Sequence, residues 1–370
     1  MADVNVRDVV GAIDIAMRRM ESTIAARGLA GPETPVVLMV SGGSDSTALA
    51  YLASGLSHAG FIGPARILHV NHLLRGEDAD ADARFVEALA KVVGVPADIR
   101  EVDVGAIAAR EGGNVEAVGR RVRYAAAAEA LAALCREASV PVSEGRILTA
   151  HTADDRVESF YMRSIVGTGP GGFRAMRYRN GSVVRPLLDT TREDLRACID
   201  ERDELGFPVA RDEAGALWRE DATNAHTDRF RAFVRHEIVP LARDRNPRLH
   251  ETLCRTMNLI ADEDDLLEGM AADIEDACVT WERVGDDAAA QGGRGAGGAA
   301  GARADGAACA GEWSARIAPS FAAHPLPLRR RVATRVLKRM LPPDARVESA
   351  SVKALLDAFR DGAPNSGYVA

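Results

Sequence analysis

Apolar positions in the first half of the chain fall into two kinds of block. Short runs at 35–40 (P-V-V-L-M-V) and 66–70 (R-I-L-H-V) have the length and branched character of strands buried on both faces. Further strand-like runs lie at 97–102, 146–150 and 183–188. Helical stretches fill the intervals at 48–56, 79–93, 114–136 and 153–165. Strands alternating with helices of this length predict βαβ units in a mainly parallel, doubly wound sheet. Right-handed crossovers then put helices on both faces. After about residue 220 the strand signals fade. Segments 230–242 and 249–270 carry apolar residues at helical spacing, 326–341 reads as a basic helix closed by Pro342-Pro343, and 352–360 as a short amphipathic one. Residues 288–311 are Ala/Gly-rich with little to bury, the composition of a flexible insert. The expected organisation is an α/β domain over 1–222, a smaller helical domain over 223–345 that contains the insert 288–311, and the start of a truncated further domain at 346–370.

Composition narrows the class. At 370 residues and 47% apolar content the chain can bury one large core or two moderate ones, which excludes a wholly disordered, collagen-like or disulfide-dense protein. No apolar run approaches the ~18 residues of a membrane span, and residues 1–19 hold no signal-peptide block. The expectation is a cytoplasmic protein with no membrane partner. The five cysteines are scattered and form no C-x-x-C, which argues against a disulfide framework, a local zinc site or an iron–sulfur site. The formal net charge of −8 is uneven. Residues 262–287 hold eleven acids and one base, whereas 326–340 hold six bases and no acid. An acidic total therefore leaves a polyanionic partner open, because the local field decides.

The densest chemistry is Ser41-Gly42-Gly43-Ser44-Asp45-Ser46, between a buried-type strand and a helix. Gly42 and Gly43 allow a tight turn and close backbone approach. The serine hydroxyls and the free N–H groups of the helix start form an anion nest suited to phosphates. A carboxylate beside phosphates is repulsive without a cation between them, so Asp45 implies Mg2+. The loop is not a Walker A motif, and the chain has only three lysines. The bland alternative is an ordinary Gly-Ser turn. The string S-G-G-x-D-S resembles the PP-loop of the N-type ATP pyrophosphatases, which cleave ATP between its α- and β-phosphates. The resemblance implies an adenine nucleotide alpha hydrolase-like fold and ATP as the cofactor.

Two more segments sit at strand ends, where an open α/β sheet binds ligands. The first is His69-Val-Asn-His72-Leu-Leu-Arg75-Gly76. The second is Thr149-Ala-His151-Thr-Ala-Asp154-Asp155-Arg-Val-Glu158, whose acids share a helix face. Such acids suit a metal or a cationic amine, and a plain helix N-cap is the alternative. These strings combine with N-V-E-A-x-x-R-R-x-R-Y-A (114–125), G-T-G (167–169), R-P-L-L (185–188), E-D-x-T-N (220–224) and R-x-x-V-R-H-E-I-V-P-L (231–241). Together they resemble the tRNA(Ile)-lysidine synthetase family over about 36–261.

That resemblance implies a ligase. The C2 oxygen of the wobble cytidine in an isoleucine tRNA with CAU anticodon attacks the α-phosphate of ATP, and diphosphate leaves. Free L-lysine then attacks C2 and expels AMP. Residues 41–46 would bind the phosphates, with Asp45 and Asp154 on the metal. Asp154, Asp155 and Glu158 compete for metal and the lysine ammonium. His72, Arg75 and His151 would line the cleft, with structural strand-end histidines as the alternative. Arg120, Arg121 and Arg123 would meet nucleotide or tRNA phosphates, unless they are a solvated helix face. Arg231 and Arg235 lie in an arginine-rich stretch similar to the family's tRNA-facing region. With the helix at 326–341 it would make a salt-sensitive track for tRNA, or else a solvated surface. A homodimer is compatible with this reading.

Three other functions compete. A tRNA 2-thiocytidine-type sulfurtransferase needs C-x-x-C pairs that the chain lacks. A small-molecule amidating ligase would not require the basic helical region. A non-catalytic tRNA-binding protein would not need an intact phosphate loop.

Overall fold

The computed structural model describes residues 11–220, 229–283, 313–341 and 345–359. They pack as two compact units, Met1–Asn258 and Leu259–Ala370. The first is built on a six-stranded sheet of order β3-β2-β1-β4-β6-β5. Its strands are β1 (Val36–Met39), β2 (Ala65–Asn71), β3 (Ala97–Glu101), β4 (Arg146–Leu148), β5 (Arg179–Asn180) and β6 (Val183–Val184). All neighbours are parallel except β5 with β6. Period-2 alternation sends β1 into two cores. Val36 and Leu38 pack on one face with Leu49, Leu52 and Leu56 of α2 (Ser44–His58). Val37 packs on the other with Ala127, Ala130 and Leu131 of α5 (Val115–Glu137), whose alanines give a low surface against the sheet.

The chain runs from β1 outward to β2 and β3, then returns to place β4 on the other side of β1. This reversal opens a crevice at the strands' carboxyl ends. Expected strands at 35–40, 66–70, 97–102 and 146–150 are present. The expected run 183–188 contracts to Val183–Val184. Pro186 has no N–H for a ladder, and Leu187 and Leu188 turn into the core.

Helices α8 (Arg229–Phe233) and α9 (Val239–Arg245) flank a single π-helical stretch, Val234–Ile238. They belong to the first unit, as does α10 (Leu249–Cys278) up to Asn258. Met257 and Cys254 bury against Ala153 and Ala175, so the compact division falls inside α10 rather than at residue 222.

The second unit packs the rest of α10 with α11 (Leu326–Met340) and α12 (Ser349–Asp357) around Phe321, Val332, Val336 and Leu355. It is not purely helical. Strands β7 (Val279–Arg283) and β8 (Trp313–Ile317) pair antiparallel, Val279 opposite Ile317. Their pairing skips 284–312, a separation no local pattern reveals. The expected insert 288–311 and residues 360–370 lie outside the described residues. On α11, Arg331 forms an ion pair with Asp264 at 2.7 Å and donates to Glu268 at 2.6 Å, Arg335 donates to Glu275 at 2.5 Å, and Arg339 stacks 4.4 Å over Trp281. Among the described residues no helix is long and apolar enough to cross a membrane.

Candidate active site

The turn after β1 points its backbone into the crevice. Gly42 has φ +95°, a conformation L side chains rarely adopt. Its carbonyl accepts from Arg219 N at 2.9 Å and from Thr47 Oγ1 at 3.1 Å, which fixes the turn. Ser46 Oγ meets Ser41 Oγ at 3.1 Å and donates to the Gly43 carbonyl at 3.0 Å, closing the loop on itself. No side chain caps α2 at Gly43. The first-turn N–H groups therefore face the crevice as an anion site.

Around it stands a lattice of carboxylates and arginines. Asp45 accepts from Arg192 Nε at 3.0 Å; burial pushes its pKa up, against the pull of that guanidinium. Helix α6 (Ala153–Val166) begins with a capping box, in which Thr152 N donates to Asp155 Oδ2 at 2.8 Å. The other Asp155 oxygen accepts from Arg231 Nη2 at 2.7 Å and lies 3.7 Å from Arg192. Glu158, with only 3% of its side chain exposed, accepts from Arg231 Nε at 2.7 Å and Arg235 Nε at 2.6 Å. Asp154 accepts from the Arg192 backbone N–H at 2.7 Å. His250 Nε2 lies 3.3 Å from its other oxygen, an ion-pair contact whose direction falls short of a hydrogen bond. Burial opposes the Asp154 charge, but His250 and Arg192 outweigh it and hold the pKa at about 2.

The histidines occupy the strand ends. His151 Nδ1 meets Thr149 Oγ1 at 3.0 Å. Burial lowers its pKa to about 4, aided by Arg185, Arg120 and Arg231 and opposed by Asp155, so the ring is neutral at pH 7. Burial and the nearby Arg123 lower that of His72, whose buried Nδ1 has no partner among the described residues.

Of these residues, Asp45, Asp155, Arg192, Arg231, Arg235, His72 and His151 line a two-lobed cleft, whereas Asp154 and Glu158 stand behind it and line neither lobe. A polar lobe of about 700 Å³ is walled by the phosphate loop, Arg75, Asp155, Arg192, Arg196, Trp218, Arg219, Arg231 and Arg235. A more apolar lobe of about 790 Å³ lies against Val40, Leu68, Leu74, His72, Asn114, Arg120 and Arg123. Ser41, Asp45, Arg75, Asp82 and His151 border both. Arg120 stacks 4.9 Å over Tyr124 at the rim. Arg121 turns away to pair with Glu111 and lines neither lobe. Arg75 is tied to Asp82 at 2.8 Å.

Arg192, Arg196, Asp82, Arg219 and Trp218 are absent from the sequence-based list. Arg192 follows R-P-L-L by four residues and Trp218-Arg219 precedes E-D-x-T-N, so marked segments flank them. Their partners lie 147, 152 and 137 residues away in sequence, beyond any local pattern.

The donor set bears on Mg2+. Among the described residues no three His, Cys, Asp or Glu side chains converge into a metal cage. Mg2+ is ordinarily held by one or two carboxylates plus phosphate oxygens and water. Asp45, beside the uncapped helix start, fits that mode. Asp154 is already engaged on both oxygens.

An open parallel sheet with a glycine-turned, uncapped helix start at its chain reversal defines an α/β nucleotide-binding protein of the phosphate-loop type. The chain belongs to the PP-loop domain family, an ATP-binding group, which it matches over residues 16–242. It is 40% identical over 240 residues to the tRNA(Ile)-lysidine synthase of Thermus thermophilus, covering 65% of this chain and 42% of that one. To the enzyme of the same name from Geobacter sulfurreducens it is 34% identical over 257 residues, covering 69% and 50%. The Dehalococcoides mccartyi protein of that name is 32% identical over 267 residues, covering 70% and 52%. The chain thus spans about half the length of the curated relatives it matches.

Proposed function

We propose that the chain carries out lysidine formation: ATP-dependent ligation of lysine to C2 of the wobble cytidine in an isoleucine tRNA with CAU anticodon, in the cytoplasm. The observation that carries this reading is the joining of the phosphate loop to the α6 acids through Arg192, which contacts Asp45, Asp154 and Asp155. A nucleotide activated at the first can be attacked by an amine held at the second. The match to the PP-loop domain family, over residues 16–242, spans both elements.

In this reading residues 41–46 bind the triphosphate through backbone N–H groups and hydroxyls. The apolar lobe, with His72, Arg120 and Arg123 at its edge, takes the nucleoside. Asp45 would hold Mg2+, and the ion would neutralise phosphate charge. The cytidine, splayed from the anticodon loop, presents O2 to the α-phosphorus. Adenylation turns that oxygen into a leaving group. The lysine ε-amine must be neutral to attack, and a carboxylate of Asp155 or Glu158 binds its ammonium form and accepts the proton. His151 is neutral at pH 7 and offers a hydrogen bond rather than a charge. Arg231 and Arg235 hold the acids in place.

The test incubates the chain with ATP, labelled lysine and an isoleucine tRNA transcript. Label is expected in the tRNA in step with AMP and diphosphate. Release of ADP, or AMP formation indifferent to tRNA, would overturn the reading.

A further inference from the structure

The polar lobe contains six arginines, and five of them are already neutralised. Arg75 pairs with Asp82, Arg192 with Asp45, Arg219 with Asp212 as well as Asp82, Arg231 with Asp155 and Arg235 with Glu158. Arg196, on α7 (Arg192–Glu204), differs. It is exposed, and its Nε donates to Ser44 Oγ at 3.3 Å, at the first residue of α2. Its guanidinium lies 5.5 Å over the Trp218 ring. Among the described residues no carboxylate is its partner, and the rest of its N–H fork has none either.

We propose that Arg196 binds the β- and γ-phosphates of ATP and carries the charge of the departing diphosphate. This rests on the function proposed above. An arginine paired with a carboxylate adds no net charge to the lobe. A nucleoside triphosphate remains anionic after binding one Mg2+, so it seeks an uncompensated cation. Arg196 is that cation, anchored at the helix start where the phosphates dock and set over an indole that limits its freedom. In adenylation the cytidine O2–Pα bond forms as the bond from Pα to the α,β-bridging oxygen breaks. The electron pair passes to that oxygen, on diphosphate, where a guanidinium fork stabilises it.

The experiment measures binding of ATP, diphosphate and AMP, and single-turnover diphosphate release, in the wild-type chain, Arg196→Gln and Arg196→Lys. Arg196→Gln should weaken ATP and diphosphate binding about 10-fold, leave AMP binding unchanged, and slow adenylation about 100-fold. Arg196→Lys should restore part of each. Unchanged diphosphate affinity in Arg196→Gln, or equal weakening of all three ligands, overturns the assignment. Thermal melting separates a folding defect, which an exposed side chain should not produce. A wild-type chain that binds no ATP would overturn the proposed function itself; ATP binding indifferent to Arg196 would overturn this role alone.

Discussion

At the level of single residues, burial around the α6 acids sets a direction for pH. The His151 pKa falls from 6.5 in the unfolded chain to about 4 in the folded one. Between those values the unfolded chain binds the proton and the folded one does not, so stability falls as pH drops from 6.5 toward 4. Asp154 acts lower down. Its pKa falls from 3.8 to about 2, so its contribution, complete above 3.8, is lost as pH drops toward 2. His151→Gln should flatten the melting-temperature profile between pH 6.5 and 4 and leave the steeper fall below 3.8. An unaltered profile would show that His151 is not buried neutral. Glu158 should matter for stability too. Glu158→Ala strips the carboxylate from two guanidiniums that are only partly solvated, 36% and 28% exposed, at a cost of about 2 kcal/mol in denaturant unfolding. These acids are visible in the sequence because helical spacing puts Asp155 and Glu158 on one face. Their partners Arg231 and Arg235, read there as tRNA contacts, instead bond to them across more than 70 residues of chain.

Among the elements, the β1–α2 turn and the loop before β2 show how two glycines of one domain differ in purpose. A Cβ on Gly42 would meet Arg219 Cγ at 3.4 Å, ordinary contact, but at φ +95°. A Cβ on Gly63 would stand 2.5 Å from the Thr34 carbonyl oxygen, where the backbone itself must move. Gly42→Ala should therefore cost about 1–2 kcal/mol and abolish measurable ATP binding, because the turn carries the anion nest. Gly63→Ala should cost more stability yet leave ATP affinity near wild type in the folded fraction. Calorimetric titration beside chemical unfolding reads both; a Gly42→Ala chain with normal ATP affinity would refute the nest. The turn and the parallel strands were legible because each is written in consecutive residues. Strand β5, its pairing with β6, and the β7–β8 pair were not. Two-residue strands carry no alternation, and β7 and β8 meet only across 284–312.

Across the whole molecule the charge map changes meaning once pairs are seen. In sequence, the basic run after 325 reads as part of a track for tRNA, and the acidic run after 261 as its uneven counterpart. In the second unit part of each run is the other's counterion: Asp264, Glu268 and Glu275 of α10 hold Arg331 and Arg335 of α11. Asp264 and Glu275 are buried, so these bonds join the two helices over a shared apolar seam that includes Ala271, Ile274, Val332 and Val336. A guanidinium so engaged releases no phosphate counterion on binding tRNA. Arg331→Gln should therefore lower the melting temperature and leave the salt slope of isoleucine tRNA binding unchanged. Lys338→Gln removes an exposed cation from the same helix and should leave stability alone. If α11 faces tRNA, this second change reduces the logarithmic slope by about one. A slope that fell with Arg331→Gln would mean the pair opens to take a phosphate, making α11 a nucleic-acid surface after all.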